Sequence, residues 1–387
     1  MAVLIAGSAL RTCFGDQDET LAALLAGRSG VDKLTEVDTA RLNVAHGYPI
    51  AEPGEEPLFR AGRWLTGVVA AALAAAGVDP SRRRVTAVVG TGLRELNAVE
   101  RPRDARVGAD ELDFRAAVRR AAPGIGEVLT VSNACAAAGY ALALAQDLLE
   151  LGEADAVVVG GTDTMTESML AMIGRVADEP ATQVRPFDAD RAGVLLGDGA
   201  AAVVVTADGT ADGTADGTAD GQPGRPGQTR PLARLLATGL SCDAAHETAP
   251  DVAGICRAMR DGLKRADREP DEVDLVLAHG TGTARNEPAE AAALREVFGE
   301  RQPLVTAIKG AIGHTSGGSA LASLIMAIAC LRTGTVFPVV GLRAPCAEAD
   351  GLRLVSGAPR HAIVRLAQVN SFGFGGVNAV SLIEAAP

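Results

Sequence analysis

Short blocks of branched and small apolar residues alternate with longer stretches of helical spacing along most of the chain. Blocks at 3–6, 85–89, 127–131, 156–160 and 199–206 predict strands. Stretches at 18–26, 63–76, 111–121 and after Cys135 predict the helices between them. The alternation starts again beyond residue 230, with strands at 232–240, 273–278, 362–369 and 377–383 and helices at 251–266, 288–298 and 317–331. Strands that alternate with helices imply an α/β fold with a largely parallel sheet covered on both faces. One tract breaks the pattern. Residues 206–221 are four copies of TADG, followed by QPGRPGQTR, and nothing large and apolar occurs there to offset the ordering entropy. It reads as a solvated linker loop, 206–230, between halves spanning 1–205 and 231–387.

The two halves look like one pattern used twice. AAAGYALALAQDLLE follows Cys135, and GGSALASLIMAIACL follows His314. Helices that are apolar all round are buried, so a pair of central helices, one from each half, is expected. Composition agrees: 48% of residues are apolar, only 3% are aromatic, and 45 are glycine, so small side chains fill the interior and let elements pack closely. A formal charge of −12 excludes a basic face for nucleic acid. The N-terminus has no basic n-region and reads as a strand rather than a signal peptide. The longest apolar run, 320–331, is too short to span a bilayer, so no membrane is expected and cytoplasm is the default location. Six scattered cysteines show neither a CxxC pair nor metal-ligand spacing with histidine, so no metal site is expected and most are structural thiols.

Four stretches carry candidate chemistry. In SNACAAAGY, Cys135 stands at a helix start, where unpaired N–H groups favour thiolate and should lower its pKa, making it a nucleophile. In AHGTGT, His279 ends an apolar strand, the position where open α/β sheets bind ligands; Thr281 and Thr283 either cap the turn or bond an amide-rich arm such as phosphopantetheine. In KGAIGHTSGG, His314 follows Lys309, a charge in apolar surroundings that needs a partner, with Glu290 the candidate. In VNSFGFGGVNA, Gly373, Gly375 and Gly376 bracket Phe374, allow close backbone approach, and leave its N–H to face a developing oxyanion. His46, His246 and His361 have no such setting and read as surface or packing residues.

With GGTDTM at 160–165 and RPFDADRAGVLLGDGA at 185–200, these motifs occur in the order found in β-ketoacyl synthases of fatty acid and type II polyketide synthesis, which the chain resembles over nearly its whole length. The resemblance implies the thiolase fold, two pseudo-duplicated halves in five α-β-α-β-α layers. It also implies decarboxylative condensation of an acyl thioester on Cys135 with a malonyl-type extender. By the same resemblance, His279 and His314 support decarboxylation, Lys309 and Glu290 form a supporting ion pair, and the N–H groups of Cys135 and Phe374 make the oxyanion hole. It implies no cofactor beyond substrates carried on the phosphopantetheine of an acyl carrier protein, and a homodimer or a heterodimer with a ketosynthase-like chain. A non-elongating acyltransferase and a non-catalytic, chain-length-factor-like partner use the same fold; the latter usually lacks the nucleophile present here. A thiolase would carry a second cysteine near the C-terminus, and a Cys-His-Asn enzyme an Asn at His314.

Overall fold

The structure, a computed structural model, describes residues 3–52, 58–100, 107–176, 180–207 and 230–386. Eleven strands join in one sheet: β1 (Val3–Arg11), β2 (Val85–Gly90), β3 (Val128–Val131), β4 (Ala156–Asp163), β5 (Gly199–Ala207), β6 (Ala233–Cys242), β7 (Leu275–Leu277), β8 (Leu304–Thr306), β9 (Arg353–Leu354), β10 (Leu366–Gly373) and β11 (Val377–Ala385). Their order is β9-β8-β7-β10-β11-β6-β1-β5-β4-β2-β3. One five-strand arrangement occurs twice. In β3-β2-β4-β5-β1, and again in β8-β7-β10-β11-β6, the first two pairings are parallel and the last two antiparallel. The repeats meet where β1 pairs antiparallel with β6, from Val3↔Leu235 to Ile5↔Ala233.

The longer helices are α1 (Gln17–Leu25), α2 (Arg60–Ala76), α3 (Arg115–Ala121), α4 (Ala137–Glu150), α5 (Glu167–Val176), α6 (Val252–Ala266), α7 (Asn286–Phe298) and α8 (Ser319–Thr333). Sequence sets their limits. Asp16 caps α1 by accepting the N–H groups of Asp18 and Glu19, and Glu19 accepts the N–H of Asp16 in return. α2 buries Trp64, Leu65, Val68, Val69, Ala72 and Leu73 along one face and stops at Gly77, φ 63°.

Alternation along the strands generates five layers. Val157, Val159, Val203 and Val205 face inward with Leu275, Leu277, Ala367 and Val369 onto α4 and α8, which lie between the two halves of the sheet. Their neighbours Ala156, Val158, Ala202 and Val204 face outward onto α2 and α3. On the far side Val276, Ala278, Val380 and Leu382 face α6 and α7. The order is thus α2/α3, sheet, α4/α8, sheet, α6/α7, the five-layered thiolase arrangement. Among the described residues one helical stretch, Ser316–Thr333, has the length and composition to cross a membrane, and 83% of it is buried in this central layer.

Three expectations change. The sheet is mixed rather than largely parallel, because β4 and β5 are joined through α5, which packs beside Leu42 and Tyr48 instead of crossing the sheet, so β5 returns antiparallel. Helix α5, strand β8 and the edge strand β9 lie outside the predicted elements; the two strands are only three and two residues long. The tract assigned to 206–230 begins inside β5, which runs to Ala207, and residues 208–229 lie outside the described residues.

Candidate active site

Strand β3 ends at Val131, and the chain enters α4 through a single 3₁₀ turn, Ala134–Ala136, that carries Cys135. Ala134 sits at φ 47°, a left-handed conformation that an L side chain rarely adopts and that clusters at functional sites. The end of β10 lies against this turn. Ser371 Oγ donates to the Cys135 carbonyl at 2.8 Å, and a Cβ on Gly373 would come within 2.7 Å of Val377 Cγ2, 3.2 Å of Ala136 N and 3.3 Å of Asn133 O, so glycine suits this close approach. Gly375 and Gly376, at φ 81° and 78°, turn the chain back into β11. Gly375 N–H is held by Glu247 O at 2.8 Å, and Gly376 O accepts Asp243 N–H at 3.0 Å. The N–H of Phe374 is among the groups that draw the Cys135 thiol's pKa down, while its ring is 41% exposed.

His279 lies just past β7 with its backbone clamped on both sides. Glu290 on α7 accepts the N–H groups of His279 (2.7 Å) and Gly280 (2.9 Å) and the side-chain amides of Asn286 (3.1 Å) and Asn370 (3.0 Å). Lys309 Nζ donates to the His279 carbonyl and stands 3.3 Å from its Nδ1. Glu290 and Lys309 therefore do not form the ion pair expected from the sequence. They meet through His279, because the carboxylate is fully engaged by N–H donors and the ammonium by the histidine. Thr281 and Thr283 bond each other at 3.1 Å, and the next carboxyl, Glu287, accepts the N–H groups of Gly282 and Thr283.

His314 follows the short helical turn Lys309–Ile312 and is pinned by its N–H to Leu195 O (2.9 Å) and by its O to Gly197 N–H (3.0 Å). Its Nδ1 accepts Ser316 N–H at 3.2 Å. The His279 and His314 rings meet edge to face with centroids 5.5 Å apart.

Electrostatics complete the site. Burial pushes both imidazoles well below the usual histidine range, and the Lys309 charge pushes the same way, so both are neutral near pH 7. With each Nδ1 facing a donor, the ring proton resides on Nε2, and both rings present an N–H. Burial pulls Lys309 down to about 8, against the opposing charges of Glu290, Cys135 and Glu287. It pushes Glu287 up to about 7, with Glu290 adding to the rise. Cys135 reverses the sequence expectation: burial pushes its thiol up to about 11, and Asp163 adds to the rise, outweighing the pull of Lys309 and the N–H groups of Phe374 and Cys135. The resting group is a thiol.

Cys135, His279, His314, Lys309, Phe374, Thr281, Thr283, Gly373, Gly375 and Gly376 fall within these four loops, and Glu290 reaches them from α7. Sequence reading passed over Asp163, Glu287, Asn286, Asn370 and Ser371. For Asp163 at the end of β4 and for Asn286 and Glu287 at the start of α7 the available signal was an acid or amide at the end of an element; Asn370 and Ser371 lie inside β10 and carry no such signal. His246 and His361 are exposed, His46 is half-buried, and none belongs to the site.

Comparison with known proteins gives a consistent result. The family model "Beta-ketoacyl synthase, N-terminal domain" matches residues 50–211 and "Beta-ketoacyl synthase, C-terminal domain" matches 232–343. Nodulation protein E of Rhizobium meliloti is 33% identical over 268 residues, covering 66% of this chain and 61% of that protein. 3-Oxoacyl-[acyl-carrier-protein] synthase 2 of Mycobacterium bovis is 33% identical over 261 residues, 65% and 59% respectively. The matched stretch thus spans about three fifths of these curated relatives. A solved structure described as the ishigamide ketosynthase/chain length factor superposes with TM-score 0.87 at 30% identity, covering 100% of this chain and 99% of that one.

Proposed function

The chain belongs to the β-ketoacyl synthase family, and from that premise we propose that it condenses an acyl thioester with a malonyl-type thioester in fatty acid or type II polyketide synthesis. One observation carries the reading: the buried cation Lys309, whose charge acts on the Cys135 thiol, stands 3.3 Å from His279 Nδ1, and the His279 ring meets that of His314, both imidazoles being neutral with their Nδ1 atoms occupied.

Cys135 Sγ attacks the carbonyl of an acyl thioester borne by an acyl carrier protein. The N–H groups of Cys135 and Phe374 hold the tetrahedral oxygen. The carrier thiol leaves with the proton that the cysteine gives up, and acyl-Cys135 remains. A malonyl thioester then loses CO₂. The enolate oxygen that forms is met by the Nε2–H groups of His279 and His314, which stabilise it without protonating the carbanion. That carbon attacks the acyl carbonyl, Cys135 leaves as thiolate and regains a proton, and a β-ketoacyl thioester departs. Thr281 and Thr283 contact the phosphopantetheine arm. These steps balance without a metal or redox cofactor, and none is proposed.

Likeness to a 3-oxoacyl-[acyl-carrier-protein] synthase and to a ketosynthase/chain length factor supports an acyl carrier protein and a second ketosynthase-like chain as partners. We place the contact between subunits, homodimeric or heterodimeric, at β3, the last strand of the sheet, whose outer edge has no partner strand among the described residues. Static light scattering on the active protein reads this, and a stable active monomer overturns it. Six free cysteines suit a reducing, cytoplasmic setting. The function itself is tested by incubation with acyl- and malonyl-loaded carrier protein. The expected product is a β-ketoacyl thioester two carbons longer, absent with Cys135→Ala; wild type that accepts the acyl group but never forms it is a non-elongating acyltransferase.

A further inference from the structure

Asp163 lies at the end of β4, 1% exposed, and its carboxylate receives four donors from two distant parts of the chain. Oδ1 accepts Thr91 Oγ1–H at 2.6 Å and Leu93 N–H at 2.9 Å. Oδ2 accepts Gly92 N–H at 2.8 Å and Gly317 N–H at 2.7 Å. Burial pushes the Asp163 carboxyl up, and its four donors oppose that rise; three of them are amide N–H groups, which can only donate and so match acceptor oxygens.

The position of Gly317 gives these bonds their meaning. The 3₁₀ turn Ser316–Gly318 leads into α8 as Ala134–Ala136 leads into α4, and Ser316 shares with Ala134 a φ of 47°. Gly317 is therefore the counterpart of Cys135 in the duplicated half. There the N–H faces an internal carboxylate, whereas beside Cys135 the N–H serves the thiol. The same turn supplies the Ser316 N–H that bonds His314 Nδ1, and Ser316 Oγ fills the space where a side chain on Gly92 would stand, 2.3 Å from its Cβ position.

We propose that Asp163 is a positioning residue of the condensation reaction: by tying Gly317 to the 91–93 loop it fixes the turn that holds His314 as an Nε2–H donor. This rests on the condensing function proposed above. In Asp163→Asn an amide NH₂ must face two of the four donors whichever way it is turned, so the tie is broken without a change of volume.

The test combines the two half-reactions with ¹⁵N-histidine NMR, which reads the His314 tautomer without substrate. Asp163→Asn that keeps the wild-type circular dichroism should acylate Cys135 to wild-type occupancy, release CO₂ from malonyl carrier protein about tenfold to a hundredfold more slowly, and lose the single Nε2–H tautomer. Unchanged CO₂ release with an unchanged tautomer overturns the proposal, as does an equal fall in both half-reactions. Should Asp163→Asn fail to fold, Thr91→Val, which removes one donor to Oδ1, decides. Its CO₂ release should fall about threefold with acylation intact, and wild-type release overturns the proposal. Wild type that releases no CO₂ defeats the condensing function instead, and the tautomer still reports on Asp163.

Discussion

A thiol at a helix start ordinarily ionises with ease, yet burial pushes Cys135 up to about 11, outweighing the pull of Lys309 and the nearby N–H groups. The sign has a measurable consequence. Alkylation of resting Cys135 by iodoacetamide should climb about tenfold per pH unit from pH 8 to 10, where an ordinary thiol levels off near its pKa of about 8.5. A plateau by pH 9 contradicts it. Lys309 pulls the thiol down, so Lys309→Ala should slow alkylation about threefold to tenfold at pH 7. The difference should shrink above pH 8, where the wild-type lysine, itself near 8, loses its charge. Residue identity made Cys135, His279, His314 and Lys309 legible in the sequence, because each is a reactive or charged group in an apolar or glycine-rich stretch. The partner of Lys309 was not legible. Glu290 lies on the right helix, but its oxygens are taken by backbone N–H groups, and no side-chain pattern reports such bonds.

At the scale of elements, the two central helices were readable from their unbroken apolar composition, and the duplication from their likeness. The detail of the echo was not. The counterpart of Cys135 is Gly317 rather than His314, since alignment of the turns depends on φ angles and on close backbone contacts that composition does not encode. Gly317 is a sharp test of this packing. A Cβ there would stand 2.3 Å from Thr91 Cα and 2.6 Å from Gly92 N, both backbone atoms that cannot swing aside. Gly317→Ala should therefore cost about 1–3 kcal/mol in urea unfolding, as overpacking does. Gly67→Ala is the contrast. It lies exposed within α2 with nothing within 4 Å of its Cβ position, and should stabilise by about 0.5–1 kcal/mol. Equal effects at the two positions would show that the turn is not tightly packed.

For the whole molecule, alternation of strands and helices gave the class, and the number of layers followed from resemblance. Strand direction did not follow, because a connection such as α5 looks like a crossover in sequence while packing beside the sheet. The doubled five-strand order brings the C-terminal ends of β4, β7 and β10 and the starts of α4 and α8 to one place, which is why a site of four distant loops assembles at all. In the proposed reaction the chemistry is divided between the halves: the nucleophile comes from the first, and the imidazoles, the cation and the Phe374 N–H from the second. The most direct measurement of that division is a single-turnover pulse and chase. The protein is loaded from acyl carrier protein, acyl-Cys135 is followed by intact mass, and CO₂ is collected on addition of malonyl carrier protein. Wild type should gain one acyl group and lose it in step with CO₂ release. His279→Ala and His314→Ala should gain the acyl group but release CO₂ about a hundredfold more slowly, the scale of losing a positioned donor at a developing oxyanion. An acyl adduct that survives Cys135→Ala, or histidine variants that lose acylation while still releasing CO₂ at the wild-type rate, would contradict the assignment.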